Sequence, residues 1–500
     1  MDTLLSGMQL ALDFGVIFYI CFGVFVGVLI GAIPGLSAPM AIALAVPLTY
    51  HLSPVAAIGF LIGINKGGFF GGSISSVLLN APGTPEAAAT AQDGYPLSQK
   101  GKGVKAIKMA LYASTFGDIF STILLIIVAQ PIASLALGMG ASEICSIIVL
   151  ALVTIAVLEA GNLIKGILAA AFGLLLSCVG MDPVIAEPRL TFNLYQLEAG
   201  IALVPMCIGL LALSELFIQC ESLWKHEDGE CTDIAALTVS KNKEDNRVSF
   251  KEFCSTIKTL FRSSLIGSGI GALPGLGAAI ASFLSYGIAK KRSKKPEEFG
   301  NGSLEGIAAS ESANNAVIGS ALIPLFTLGI PGNMASALLI GAFVMHGVTP
   351  GPLMFEQHGD LVYGVYTSMI IGCIALIIIG MQGILLFGKL LCAPKNILMP
   401  IILFICLMGA YMSENNVFSV YIMIVFGIIG YIIKKMNFSF VCLVVGFILG
   451  PAFEMSCQQT FITFFYSPEL LLERPVTLIV LGITVLFVGS QLILQRKRQC

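Results

Sequence analysis

Apolar runs close to the roughly 20 residues needed to cross a bilayer recur from one end of this chain to the other, as in Phe14–Ile33, Met109–Ala129, Leu361–Phe387 and Val476–Leu494. Backbone polar groups in lipid must be satisfied within the protein, so such runs fold as helices or closed barrels, and runs this long are helical. The expectation is an all-α polytopic membrane protein with about twelve transmembrane segments. Of 500 residues, 56% are hydrophobic and 11% charged, well under the roughly 25% charge of soluble domains. Met1 to Asp13 holds no Lys or Arg, so the first run lacks the basic flank of a cleaved secretory signal and is expected to be a retained span.

A net charge of −2, with basic residues clustered in loops, argues against a nucleic-acid partner. The thirteen cysteines include no C-x-x-C pair, and His51, His226, His346 and His358 are isolated, so neither a metal centre nor another cofactor is expected. The sequence contains no H-E-x-x-H or G-x-S-x-G, and the glycines at Gly267, Gly269 and Gly271 lack the Lys-Ser/Thr of a nucleotide loop. An enzyme is therefore not expected.

One hydrophilic stretch of mixed charge, residues 219–262, divides the chain. It separates a first membrane repeat (14–218) from a second repeat core (263–390), followed by C-terminal transmembrane helices (391–500). The halves repeat: Gly27–Ala38 aligns without gaps on Gly267–Ala278, which sets Pro34-Gly35 against Pro274-Gly275. A second element follows in each half, Leu79-Asn-Ala-Pro-Gly-Thr-Pro85 and Leu328-Gly-Ile-Pro-Gly-Asn333.

Lys and Arg in short loops stay cytoplasmic. In the first half Lys100, Lys102, Lys105 and Lys108 follow the second Pro-Gly element, whereas in the second half Lys290, Lys291, Arg292, Lys294 and Lys295 lie between the two elements. Equivalent elements thus face opposite sides, the pattern of an inverted-topology repeat. Lys434-Lys435 and Arg496-Lys497-Arg498 are two spans apart, and a cytoplasmic C-terminus is expected.

Proline removes a backbone donor and glycine permits positive φ, so Pro-Gly opens a helix. An opened backbone in hydrocarbon is tolerated only in packed protein or against a wet cavity. Broken or re-entrant helices at four such elements therefore predict a polar pocket, whose exposed N–H groups suit carboxylate oxygens. The candidate substrate-binding residues are Pro34, Gly35, Lys66, Ser73, Asn80, Pro82, Gly83 and Thr84 in the first half. In the second they are Pro274, Gly275, Asn314, Asn315, Pro331, Gly332 and Asn333. Gly67, Gly68, Gly71 and Gly72 read equally as helix-packing surface.

Ionisable residues within apolar sequence usually mark function. Lys66 is a cation for an anionic substrate or a lysine snorkelling from a helix that begins later. Glu311 binds a coupling proton or sodium ion, or caps a helix at the interface. Asp118 is a third candidate, while Asp93 and Glu159 read as loop or interface residues.

The ordered set Gly31-Ala-Ile-Pro-Gly-Leu36, Gly71-Gly-Ser73, Leu79-Asn-Ala-Pro-Gly-Thr-Pro85, Asp93-Gly-Tyr-Pro-Leu97, Gly180-Met-Asp-Pro183, Ala313-Asn-Asn315 and Leu328-Gly-Ile-Pro-Gly332 resembles the large permease subunit of tripartite tricarboxylate transporters. The likeness spans roughly residues 20 to 430 and departs at Asn65-Lys66, where the added cation bears on the substrate. It implies a cation-coupled secondary transporter, a symporter in the bacterial cytoplasmic (inner) membrane. An extracytoplasmic solute-binding protein would deliver a small di- or tricarboxylate, alongside a small membrane subunit, with alternating access as the mechanism. A passive channel or scaffold subunit, or an intramembrane enzyme, stands as the alternative.

Overall fold

A computed structural model describes residues 2–33, 35–159, 163–183, 185–225, 242–390, 395–465 and 468–499. The first half runs α1 Asp2–Ala11, α2 Phe14–Ala32, α3 Ala38–Ala45, α4 Pro54–Leu79, α5 Ala88–Leu97, α6 Gly103–Ala136, α7 Ala141–Glu159 and α8 Leu163–Ser177. It ends in α9 Leu203–Cys207 and α10 Ser214–Trp224, joined by a π-helical stretch. The second half holds α11 Phe250–Gly271, α12 Gly277–Arg292, α13 Leu304–Ser320, α14 Leu322–Leu328, α15 Met334–Met345, α16 Met354–Gln357 and α17 Gly359–Leu390. Four helices follow: α18 Lys395–Glu414, α19 Val417–Lys435, α20 Phe440–Phe464 and α21 Pro475–Gln499. A short antiparallel hairpin, Gly180–Met181 against Pro188–Arg189, adds the only strands among the described residues.

The protein is thus a helical polytopic membrane protein. Among the described residues, eight helical stretches are long and apolar enough to cross a bilayer, and shorter apolar helices accompany them. At the centre stand α4 and α13, buried from Val55 to Val77 and from Gly306 to Ser320. Ser53 opens α4 as its N-cap ahead of Pro54 at the first turn, and Ser303 caps α13, each satisfying a backbone N–H that lipid could not.

Helices α2 and α4 pack through glycines. A Cβ on Gly23, Gly27 or Gly31 would strike the carbonyls of Phe60, Ile64 and Gly68, and one on Gly63, Gly67 or Gly71 would strike those of Ile20, Val24 and Val28. Both series ascend together, so α2 and α4 run parallel. Gly68 lies against Ala38 and Gly72 against Thr84, so Gly67, Gly68, Gly71 and Gly72 are packing surface.

The same arrangement recurs in the second half, where Gly267 meets Ala313 and Gly271 meets Val317, placing α11 parallel to α13. The two sets run oppositely. Lys66 meets Asp118 and Gly103 meets Leu78, so α6 descends as α4 ascends. Gly117 meets Ser312 and Gly319 meets Ser121, so α6 and α13 ascend together. Lys100 donates to the Asn301 carbonyl at 2.5 Å and Lys105 pairs with Glu252 at 2.5 Å, which gathers the basic start of α6 and the loop after α12 at one end of the molecule.

Candidate functional site

The described part of the first Pro-Gly element has Gly35 at φ 91°, matched by Gly275 at φ 86°; Pro34 lies outside the described residues. The second elements open differently from expectation. Their left-handed residues are the helix C-caps Asn80 (φ 54°) and Gly329 (φ 71°), each two positions before the proline. Gly83 and Gly332 serve close packing instead, Gly83 against the Gly31 carbonyl and Gly332 against Ala321.

The breaks converge. Within the second half, Gly275 N–H donates to the Gly332 carbonyl at 3.0 Å, joining its two elements. Between halves the helices following the breaks cross over: α3 packs on α15, and α12 packs on α5 and on the turn Pro85–Ala87. Ala38 and Phe69 share one apolar cluster with Ala278, Ala281, Ala313, Val317, Ile318 and Ala321. Two of the new helices begin with capped N-termini: Ser37 accepts from Met40 N–H, and Asn333 and Ser336 cap each other reciprocally. Exposure varies within the elements: Gly35, Asn80 and Pro82 are exposed but Gly83 and Thr84 buried, and Gly275, Pro331 and Gly332 are buried but Leu273 exposed.

Glu311 is fully buried and held by four neutral donors from four helices. Its Oε1 accepts from Ser73 Oγ of α4 at 2.6 Å and from Thr90 Oγ1 of α5. Its Oε2 accepts from Ser114 Oγ of α6 at 2.9 Å and from Asn315 Nδ2, one turn along α13, at 3.4 Å. The interface-capping reading of Glu311 is thereby removed.

Lys66 does not snorkel. It is fully buried, more than three turns inside α4, and its Nζ donates to Asp118 Oδ1 at 2.5 Å and to Cys373 Sγ of α17 at 3.4 Å. The Cys373 thiol in turn donates to Asp118 Oδ2 at 3.3 Å. Its charge is engaged by Asp118, a partner that spacing along the sequence does not signal.

Thr84 Oγ1, Asn65 Oδ1, Asn315 Oδ1 and both amide atoms of Asn314 are buried without a hydrogen-bond partner. Thr84 touches Gly72, beside Ser73, so unfulfilled polar groups adjoin the Glu311 cradle. Such groups are costly unless something polar meets them.

Asp93 is another correction. It sits fully buried within α5, where its Oδ1 accepts from the N–H groups of Gly300, Gly302 and Ser303 at 2.8, 2.9 and 2.9 Å, clamping the start of α13. The Glu159 side chain and His226 lie outside the described residues. His346 and His358 line, with Asp13 and Asp360, a cavity of about 710 Å³ where α2, α4 and α17 begin.

A family model described as the tripartite tricarboxylate transporter TctA family matches residues 17–445. An uncharacterized 52.8 kDa protein in the TAR-I ttuC' 3' region of Agrobacterium vitis is 38% identical over 417 residues, covering 83% of this chain and 81% of its own length. An uncharacterized protein in the TAR-II ttuC' 3' region of the same organism is 40% identical over 217 residues, covering 43% of this chain and 90% of its own. No solved structure matches the chain.

Proposed function

The chain belongs to the tripartite tricarboxylate transporter TctA family, and from that premise we propose that it is the permease subunit of a cation-coupled secondary transporter that imports small di- or tricarboxylates by alternating access. The observation that carries the reading is the set of buried, unpartnered polar atoms on Thr84, which lies against Gly72 of α4, and on Asn314 and Asn315 of α13, the two helices that share the Ser73–Glu311 hydrogen bond. The half-helix N-termini that follow the breaks at Ser37 and Asn333 bring their positive dipole ends and remaining backbone N–H groups to bear on an anion.

About twelve segments in two inverted repeats, with domains at 14–218, 263–390 and 391–500 about a 219–262 linker, are part of this proposal. The opposite directions of α2 and α4 relative to α11 and α13 support it. So does the meeting of the two basic clusters at one end, which we take as cytoplasmic. The reading includes the cytoplasmic membrane, a cytoplasmic C-terminus, a small membrane subunit and an extracytoplasmic binding protein as partners, and Glu311 as the coupling-ion site.

The test is reconstitution with the partner subunits in proteoliposomes. Labelled citrate or succinate should accumulate above its equilibrium level under an imposed sodium or proton gradient. Equilibration without accumulation would establish a passive channel instead.

A further inference from the structure

The reading above leaves the coupling cation open between a proton and sodium. Resting on that reading, we propose that the coupling cation is a proton carried by the Glu311 carboxyl, with Thr90 as the hydroxyl that reverses its hydrogen bond when the proton binds or leaves and Ser310 as the acceptor it turns to.

The first step is the charge around the carboxyl. A buried carboxylate with no cation is costly, and such a group takes up a proton instead. Every hydrogen-bond partner of Glu311 is neutral. Among the described residues no cation pairs with Glu311: Lys66 pairs with Asp118, and Arg262 donates through one nitrogen to Thr259 and leaves Nε without a partner, while Asp93 accepts from the backbone at 300–303 and Glu305 from Thr259 and Ser293. Glu86 of the turn before α5 and Tyr286 of α12 make no hydrogen bond to it among the described residues.

The second step is whether the cradle can hold both forms. Without the proton, Glu311 accepts from Ser73, Thr90, Ser114 and Asn315 as described. With it, the acid must donate, and a hydroxyl oxygen can accept while donating onward. Thr90 Oγ1 lies beside both Glu311 Oε1 and, at 2.9 Å, Ser310 Oγ, with either of the hydroxyls free to donate. Ser310 Oγ reaches the carbonyls of Gly306 and Ile307, each at 3.1 Å. Protonation at Oε1 therefore sets up a chain in which Glu311 donates to Thr90, Thr90 to Ser310 and Ser310 to a backbone carbonyl, each hydrogen used once. Loss of the proton turns the Thr90 hydroxyl back to the carboxylate. No other atom need move.

The third step separates a proton from a hard metal cation. Such a cation sits in a cage of oxygens that surround it. Around Glu311 the nearest oxygens are hydroxyls that donate directly to the carboxyl, Ser73 at 2.6 Å and Ser114 at 2.9 Å, so a metal ion would have to displace these hydrogen bonds whereas a proton on Oε1 leaves them in place.

The test is difference infrared spectroscopy of the purified full-length chain in lipid. The wild type should show a protonated-carboxyl stretch at neutral pH that is lost in Glu311→Gln, fades as pH rises and has the same midpoint in sodium and choline buffers. Thr90→Val keeps the carboxyl and should shift the band, because the acid loses its acceptor. Absence of the band from wild type at neutral pH, a midpoint that moves with sodium, or an unchanged band in Thr90→Val would overturn the proposal. The measurement needs no substrate, so its failure is separable from failure of carboxylate uptake.

Discussion

Substituting one member of the Lys66–Asp118 pair should destabilise the protein strongly, whereas substituting both should cost less than the sum of the two. Both side chains are fully buried at 2.5 Å, so Lys66→Met leaves Asp118 without its counter-charge and Asp118→Asn does the same to Lys66. Removing one partner of a buried pair costs roughly 3–5 kcal/mol, because the survivor is stranded as an uncompensated buried charge. In the double variant Lys66→Met/Asp118→Asn no charge is stranded, so the single losses should overlap, by a coupling of about 0.5–3 kcal/mol. Unfolding in mixed micelles of the wild type, the two single variants and the double variant closes the cycle. Additive single effects, or single losses under about 1 kcal/mol, would refute the assignment of a buried ion pair.

Two further substitutions probe the scaffold of the site. Gly67→Ala places a methyl against the Val24 carbonyl and should cost about 1–3 kcal/mol by overpacking, read as lost thermal stability, whereas Gly287→Ala, with open space around it, should be neutral. Asp93→Ala strips the acceptor from three N–H groups, of which that of Ser303 is buried, and should cost about 1–3 kcal/mol. Hydrogen exchange should then rise at Gly300, Gly302 and Ser303, and unchanged protection there would contradict the clamp.

The breaks were legible because they are duplicated: Pro34-Gly35 and Pro274-Gly275 align in sequence, and Gly35 and Gly275 share one backbone conformation. Span counting by apolar length is less informative at the centre. It registers contact with lipid, and α13 touches protein on all sides, which lets it carry Ser310, Glu311, Ser312, Asn314 and Asn315 in one helix. Glu311 announced itself as an acid in an apolar context. Its partners Thr90 and Ser114 did not, since serine and threonine are ordinary in membrane helices and only the packing of α5 and α6 brings these two inward. Asp93 misled because Gly94-Tyr-Pro96 has the composition of a turn, yet α5 continues through it.

With Lys66 and Asp118 cancelling and Glu311 protonated as proposed, these described residues carry no net fixed charge to meet an anion. On the proposed function, an inside-negative potential would oppose import of a carboxylate: each charge moved across 100 mV is worth about 2.3 kcal/mol. A dicarboxylate entering alone works against about 4.6 kcal/mol at that potential. No resident cation can lift this cost, because a fixed charge changes local affinity and leaves the work of crossing unaltered. Only a cation that travels with the substrate lowers it, and a carboxyl that is neutral when loaded can cross the field at no electrical cost of its own. That is the physical reason to seek coupling at Glu311 and not at Lys66.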